Sequence, residues 1–162
     1  VNHWPSRSGG EAASMPFRAG AANILKQSYV KLLQESPSDK VIMMGDFNDN
    51  PNDKSLKNHL GAKLKLEEVM TGDIFNPYFA LSRKGEGSNI FNDVWFNFDQ
   101  ILVSDQLVTK SAQGLKLVST KVYRASFLFQ QTGRFKGYPK RSYSEGEIGY
   151  SDHLPVYIEI SK

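Results

Sequence analysis

The chain has 162 residues, of which 40% are hydrophobic and 23% charged, the size and composition of one globular domain. It contains no cysteine, which excludes disulfides, thiolate metal sites and a cysteine nucleophile. The net charge of +3 is compatible with an anionic substrate without requiring one, and no apolar run is long enough to form a transmembrane segment.

The first part of the chain is predicted to form a loop, a helix and a buried strand. Residues 8–14 are small and typical of a loop, and a helix is predicted over about residues 16–34, with Ser14 as its cap and Pro16 in its first turn. Its apolar residues recur at helical spacing and are expected to face the core: Ala22, Leu25, Tyr29, Leu32 and Leu33. The apolar run 41–44 predicts a strand buried on both faces.

The remainder of the chain changes from helical to strand-like character. Residues 49–53 form a turn cluster, from which Asp53 is expected to cap a short helix that ends at Gly61. Further helical turns are predicted over 64–70. Strands are predicted over four segments rich in β-branched and aromatic residues: 88–92, 94–103, 115–125 and 154–160. This order predicts the α/β (α+β) fold class, with helices packed on a sheet.

The motif Gly45-Asp46-Phe47-Asn48 directly follows the predicted buried strand. Alternation along the strand places Asp46 and Asn48 on one side and turns Phe47 towards the core. A carboxylate can bind a hard cation or orient a water, and an amide can donate to a phosphoryl oxygen. An ordinary β-turn, in which both side chains bond the backbone, explains the motif equally well.

A second motif, Ser151-Asp152-His153-Leu154-Pro155-Val156, combines an acid and an imidazole before a strand. Adjacent residues cannot converge as a serine-hydrolase triad, and the chain has no nucleophile elbow. We therefore expect Asp152 to bind a metal ion and His153 to act as a general base. Asp99, at the start of an apolar segment, is the candidate carboxylate that orients His153. Surface turns are the alternative for both segments.

Cationic and aromatic residues mark two further candidate binding segments. His3 is a candidate to contact or protonate a phosphate, and Arg7 either neutralises a phosphate or braces its loop. The glycine-bearing loop 132–149 interleaves cations with aromatic rings, a pattern that suits contact with nucleic acid, although a solvated loop is the simpler explanation. Its members are Arg134, Phe135, Lys136, Tyr138, Lys140, Arg141 and Tyr143, of which Arg141 and Tyr143 are candidate substrate-binding residues.

Taken in chain order, these motifs resemble the endonuclease/exonuclease/phosphatase superfamily, and its bacterial members in particular. The resemblance runs from Asn2-His3-Trp4-Pro5-Ser6-Arg7 through Gly45-Asp46-Phe47-Asn48 and Asp99-Gln100 to Ser151-Asp152-His153. It implies a deoxyribonuclease-I-like fold, a four-layer α/β/β/α sandwich. Residues 1–162 are then expected to be a single domain that forms the later half of the family domain, with the upstream half missing.

The resemblance also implies metal-dependent hydrolysis of a phosphoester, most simply a phosphodiester in a nuclease-type reaction, with Mg²⁺ or Mn²⁺. The implied roles are metal binding and water positioning by Asp46, phosphate binding by Asn48, orientation of the base His153 by Asp99, metal binding by Asp152, and phosphate binding with leaving-group assistance by His3.

Two other functions remain open at this point. An inositol-phosphate phosphatase or a sphingomyelinase-like lipid phosphodiesterase would use the same fold, and a non-catalytic fragment or binding module is the alternative from another class. The upstream half of the family domain normally supplies a glutamate as a main metal ligand. We therefore expect this segment alone to bind metal poorly and to pair with the missing half or with itself. The sequence does not identify a cellular compartment.

Overall fold

The computed structural model describes residues 1–109, 114–142 and 148–162, which form a mixed α/β structure. Its main elements are β1 (Asn2–His3), α1 (Glu11–Glu35), β2 (Ile42–Asp46), β3 (Ile74–Phe75), α2 (Tyr78–Ser82), β4 (Asn89–Phe91), β5 (Val94–Phe96), β6 (Asp99–Ser104), β7 (Lys116–Val122) and β8 (Val156–Ser161). A short π-helix covers Ser55–Leu60, and single 3₁₀ turns cover Leu66–Glu68, Asp105–Leu107 and Ser126–Leu128.

The central sheet has four strands in the order β1-β2-β6-β3. β1 runs parallel to β2, whereas β6 is antiparallel to both of its neighbours, β2 and β3. Two further antiparallel pairs, β4–β5 and β7–β8, lie outside this sheet. The predicted α/β class is therefore confirmed.

One face of the central sheet is covered by α1 and the π-helix. Ala22 and Tyr29 of α1 pack with Met43 of β2 and Leu102 of β6 in one buried cluster. The ring of Phe47, which is fully buried, meets the ring of Trp4 edge to face at a centroid distance of 4.8 Å in the same cluster. This apolar cluster anchors the strand end from which the polar motif at Asp46 emerges.

The opposite face of the sheet carries the β7–β8 pair. Neighbouring residues of a strand point to opposite faces, so Ile101 is directed away from the α1 side to which Leu102 belongs. Ile101 packs with Val122 at the end of β7 and with Leu154 just before β8. This packing holds the segment around His153 against β6.

The helix α1 begins earlier than predicted. It starts at Glu11, and Ser14 lies inside it, where its Oγ donates to the carbonyl of Gly10 at 2.7 Å instead of capping the helix. The prediction was wrong because Glu11 and the two alanines after it are good helix formers in a stretch taken for a loop. Leu32 is also 37% exposed, so its assignment to the core face was wrong.

Two strand predictions and one cap prediction need correction. β2 is buried on one face only, because Met43 is 4% exposed whereas Ile42 and Met44, on the other face, are 37% and 40% exposed. The segment predicted as one strand over 94–103 is divided into β5 and β6 at residues 97–98, where the side chain of Asn97 donates to Ser82 Oγ at 2.9 Å.

The predicted helix before Gly61 is present, but its cap is not. Gly61 ends the π-helix in the left-handed conformation, with φ of 82°, as expected for a helix-terminating glycine. The carboxylate of Asp53 accepts from the backbone N–H of Asn50 at 2.7 Å and so closes the preceding turn instead of capping the helix. None of the helices in the described part of the chain combines the length and apolar character that crossing a bilayer would need.

Candidate active site

The polar residues of three neighbouring strands meet at one end of the central sheet. His3 of β1 is in register with Asp46 of β2, and Asp46 is in register with Asp99 of β6. The Nε2 atom of His3 lies 3.8 Å from Oδ2 of Asp46, and the His3 side chain is 78% exposed. Sequence positions almost a hundred residues apart are thus brought to one edge by strand pairing alone.

His153 reaches this edge from the loop before β8 and pairs with Asp99. Its Nδ1 atom lies 2.6 Å from Oδ2 of Asp99, a charge-assisted hydrogen bond in which Nδ1–H donates to the carboxylate. The loop is held by a backbone bridge between His153 and Asn89 and by the N–H of Leu154, which donates to the carbonyl of Ser88 at 2.6 Å. The imidazole orientation is therefore determined by contacts with β4 and β6.

The surroundings of His153 favour its protonated form. Burial alone lowers the pKa of His153, but the hydrogen bond to Asp99 and the charges of Asp99, Asp46 and Asp152 outweigh burial and raise the pKa above its ordinary value. A raised pKa makes the neutral imidazole a stronger proton acceptor, but it also raises the share of His153 that is protonated near neutral pH. A general base accepts a proton only in its neutral form, so a basic role of His153 is expected as the pH rises through the raised pKa.

The turn after β2 holds Asp46 and Asn48 by backbone contacts. Asp46 Oδ1 accepts from the backbone N–H of Asn48 at 2.8 Å, and the side-chain Nδ2 of Asn48 donates to the carbonyl of Trp4 at 2.9 Å. Asn48 has a φ of 51°, a left-handed conformation that asparagine tolerates better than most residues. Gly45 is required here because a Cβ atom would lie 1.8 Å from the carbonyl oxygen of Asn2 on the adjoining strand β1.

A partly buried ion-pair cluster of Arg7, Arg18, Asp49 and Asp53 braces this turn. Nη2 of Arg7 lies 2.8 Å from Oδ1 of Asp49 and 2.6 Å from Oδ2 of Asp53, and Nε of Arg7 donates to the carbonyl of Asn48 at 2.9 Å. Arg18, which is fully buried, places Nε 2.8 Å from Oδ2 of Asp49. Of the two roles left open for Arg7, these contacts favour bracing of the loop.

Buried amides connect the same turn to β6. Nε2 of Gln100 donates to the carbonyls of Asp49 and Asn97, each at 2.7 Å, and Oε1 of Gln100 accepts from Asn76 Nδ2 at 2.6 Å. Gln100 directly follows Asp99, so this network fixes the start of β6. It supports the position of the carboxylate that bonds His153.

The site contains a donor set suited to a divalent cation. Among the described residues, Asp46, Asp99 and His153 each offer a ligand atom, and these atoms lie within 4.8 Å of one another. Burial raises the pKa of Asp46; the bond from Asn48 N–H opposes this effect, and the charge of Asp99 adds to it. Two facing carboxylates disfavour each other's charge, and a hard cation relieves that repulsion, so the residues fit such a cation.

This geometry agrees with a family match that covers the whole chain. The family model described as "Endonuclease/Exonuclease/phosphatase family" matches residues 1–162. The chain belongs to this family. Membership implies metal-dependent hydrolysis of phosphoesters as the general activity of the endonuclease/exonuclease/phosphatase fold. No curated protein and no solved structure matches the chain at a significant level.

The candidate site residues predicted from the sequence do not all lie in one cluster. His3, Asp46, Asp99 and His153 come together as described. Asp152 is exposed and is not a member of the three-residue group above; it lines a neighbouring cleft that also contains Arg141. Tyr143 lies outside the described residues. The roles assigned to these residues remain predictions.

Asn89 is a member of the site that sequence reasoning missed. Its Nδ2 atom lies 3.4 Å from Nε2 of His153, and its Oδ1 atom is buried with no hydrogen-bond partner among the described residues. The sequence offers no signal for this residue, because its position depends on the bridge between β4 and the loop before β8. Asn89 contacts the ring nitrogen that does not bond Asp99.

Proposed function

We propose that the protein hydrolyses phosphodiesters in a nuclease-type reaction, with His153 as the general base for an attacking water. The observation that carries the proposal is the 2.6 Å contact between Nδ1 of His153 and Oδ2 of Asp99, beside the carboxylate of Asp46. Family membership supports phosphoester hydrolysis, and the dyad supplies the proton acceptor that such hydrolysis needs.

The proton route follows from the hydrogen bond to Asp99. In the neutral imidazole, the Nδ1–H group donates to Asp99, and the lone pair of Nε2 faces Asn89 Nδ2 at 3.4 Å. The attacking water must replace this long contact before Nε2 accepts its proton. The water oxygen then forms a bond to phosphorus as the bond to the leaving oxygen breaks in line. The new imidazolium is stabilised by Asp99, and the leaving alkoxide takes a proton from His3 or from solvent.

A divalent cation, proposed to be Mg²⁺ or Mn²⁺, would be held by Asp46, and it would neutralise charge on the phosphate when bound. Asp152 lies outside the group of Asp46, Asp99 and His153 and is proposed as a further ligand from the family resemblance alone. One oxygen of Asp46 already accepts from Asn48 N–H, which leaves Oδ2 as the donor for the cation. Asn48 and His3 are proposed to contact the scissile phosphate. Arg141 lies in the adjoining cleft and is proposed to contact the substrate beyond it.

A substrate panel with a base-deficient variant tests the proposal. Plasmid DNA, RNA, an inositol phosphate, sphingomyelin and the generic diester bis(p-nitrophenyl) phosphate are each assayed with Mg²⁺, Mn²⁺ and chelator. We expect hydrolysis of diesters that needs metal and that falls by about 10²–10⁴-fold in His153→Ala. Equal rates in the two proteins would refute the mechanism, and no hydrolysis of any member would favour a non-catalytic module.

We also propose that the exposed apolar face of β2 is covered by a second copy of the chain. Ile42 and Met44 are 37% and 40% exposed on this face, and exposed apolar patches mark interaction surfaces. Sedimentation of the 162-residue segment is expected to show self-association. A monomer with full activity would refute this proposal and leave the dyad chemistry untouched.

A further inference from the structure

A second surface adjoins the His153–Asp99 dyad, and we call it the hairpin cleft. It has a volume of about 510 Å³ and lies between the β4–β5 hairpin and residues 134–141. Volumes of about 300–1,000 Å³ are typical of small-ligand sites. Asn89 and Asp152 belong to the lining of the cleft, and Asn89 also contacts His153, so one shared residue connects the cleft with the proposed catalytic base.

The two walls of the hairpin cleft are tied together. The hydroxyl of Tyr138 donates to Oδ1 of Asp93 at 2.7 Å, and the N–H of Asp93 donates back to the Tyr138 hydroxyl at 2.9 Å. Asn92 and Asp93 have φ values of 49° and 62°, the conformation of a tight two-residue hairpin turn. The hairpin tip is therefore both internally rigid and bonded to the opposite wall.

The opposite wall is also held by its own backbone. The N–H of Gly137 donates to the carbonyl of Gln130 at 2.9 Å, and the N–H of Lys140 donates to the carbonyl of Leu128 at 2.6 Å. These bonds fold the segment back on itself. A preformed cleft loses less conformational entropy when a ligand binds than a loop that must first become ordered.

The lining of the cleft combines aromatic faces with guanidinium groups. Phe91 on the hairpin is 67% exposed and Phe135 on the opposite wall is 41% exposed. The guanidinium carbon of Arg134 lies 5.5 Å from the centroid of the Phe135 ring, and Arg141 is part of the same lining. An inositol phosphate would be satisfied by cations alone, whereas exposed rings beside cations suit a flat base attached to a phosphate.

We propose that the hairpin cleft binds an unpaired nucleotide of a nucleic acid strand, with its base held between Phe91 and Phe135 and its phosphate near Arg134 and Arg141. This inference rests on the proposed phosphodiesterase function and names its substrate class. A base inside a duplex has both faces stacked on its neighbours and cannot lie on a side chain. The cleft therefore selects single-stranded substrates, or substrates with an unpaired nucleotide beside the scissile bond.

Fluorescence anisotropy with a labelled single-stranded oligonucleotide tests the inference. The measurement uses the full chain in a His153→Ala background with Mg²⁺, so that the probe is not consumed. We expect Phe91→Ala and Phe135→Ala each to weaken binding by about tenfold, the effect of one lost stacking contact. Phe17→Ala is the matched control, because Phe17 is also 67% exposed but lies on α1, away from the cleft.

The probe must also distinguish nucleotide stacking from simple anion binding. We expect the blunt duplex of the same sequence to bind more weakly than the single strand, and we expect this preference to disappear in Phe135→Ala. Equal binding of duplex and single strand, or unchanged binding in both phenylalanine variants, would overturn the inference. The inference would also be overturned if inositol hexakisphosphate competes with the oligonucleotide and the same variants lower the affinity of both by the same factor.

Failure of this inference is distinguishable from failure of the proposed function. Hydrolysis of bis(p-nitrophenyl) phosphate, compared between the wild type and His153→Ala, reports on the dyad without a base to stack. Loss of that reaction in His153→Ala, together with unaltered oligonucleotide binding in the phenylalanine variants, would support the proposed hydrolase function and contradict nucleotide binding in the cleft. Oligonucleotide binding that depends on Phe91, without any hydrolysis, would support nucleotide binding in the cleft and contradict the proposed hydrolase function.

Discussion

Replacing Asp99 with asparagine removes the charge that faces His153 and preserves the shape of its partner. The two side chains are 2.6 Å apart and only 25% and 21% exposed, so solvent screens their interaction weakly. A hydrogen bond to a charged group contributes about 1.5–3 kcal/mol. If that stabilisation acts on the imidazolium formed during the reaction, its loss lowers kcat by about 10- to 150-fold.

The orientation of the new amide decides whether the loss is larger. With its oxygen towards Nδ1, the asparagine preserves the reactive tautomer and loses only the charge. With its NH₂ group towards Nδ1, it places the proton on Nε2, and the loss rises to about 10⁴-fold because His153 no longer accepts a proton from water. We therefore expect Asp99→Asn to lower kcat by at least about tenfold and to leave KM nearly unchanged.

The assay is steady-state hydrolysis of bis(p-nitrophenyl) phosphate with saturating metal. Glu159→Gln is the control, because this carboxylate is 49% exposed and pairs with Lys121 at 3.1 Å on the outer strand β8, where an ion pair contributes little. We expect its kcat to match the wild type. An Asp99→Asn protein that keeps more than half of the wild-type kcat would contradict the assignment of Asp99 as the residue that orients the base.

Three further predictions follow from the same contacts. In the metal-free protein, the pKa of His153 measured by NMR should fall in Asp99→Asn, and an unmoved pKa would contradict the pairing. The stabilisation that this pair gives the wild type should be complete below about pH 6.5 and should disappear as the pH rises through the raised pKa. Asp46→Asn should weaken Mn²⁺ binding, measured by calorimetry, by about tenfold or more. Equal affinity in the two proteins would contradict the assignment of Asp46 as a metal ligand. Arg18→Leu removes one of the two arginines that pair with the buried Asp49 and should cost about 1.5–3 kcal/mol in urea unfolding, because Arg7 still pairs with that carboxylate. Lys31→Ala, which removes an exposed i,i+4 pair, should cost about 0.5 kcal/mol or less, and similar costs for both would contradict the buried pair.

Much of the secondary structure is predictable because its signals are local. The apolar run before Gly45 predicts β2, and the left-handed Gly61 ends the short helix that it was expected to end. The errors occur where a local signal competes with tertiary contacts. The single strand expected over 94–103 is interrupted because Asn97 bonds α2 and the loop after it instead of continuing a ladder.

The candidate site is predictable in its residue types but not in its contacts. Asp99 and His153 are recognisable as a carboxylate and a base, and the structure places them 2.6 Å apart. No local sequence signal predicts the buried ion pair between Asp49 and Arg18, because an acid in a turn and a basic residue on a helix are common in any sequence. Their roles depend on α1 packing beneath the turn after β2.

The sequence by itself determined which chemical groups are available: a carboxylate and an amide after one apolar strand, an acid and an imidazole before another, and an order of motifs that indicates the family. Only the tertiary structure decided which of these groups meet. Strand register aligns His3, Asp46 and Asp99, the bridge to Asn89 turns His153 towards them, and the Tyr138–Asp93 contact closes the hairpin cleft beside them. The physical reason is that residue types set what a group can donate or accept, whereas distances between groups far apart in sequence arise only when sheet pairing and core packing fix the backbone.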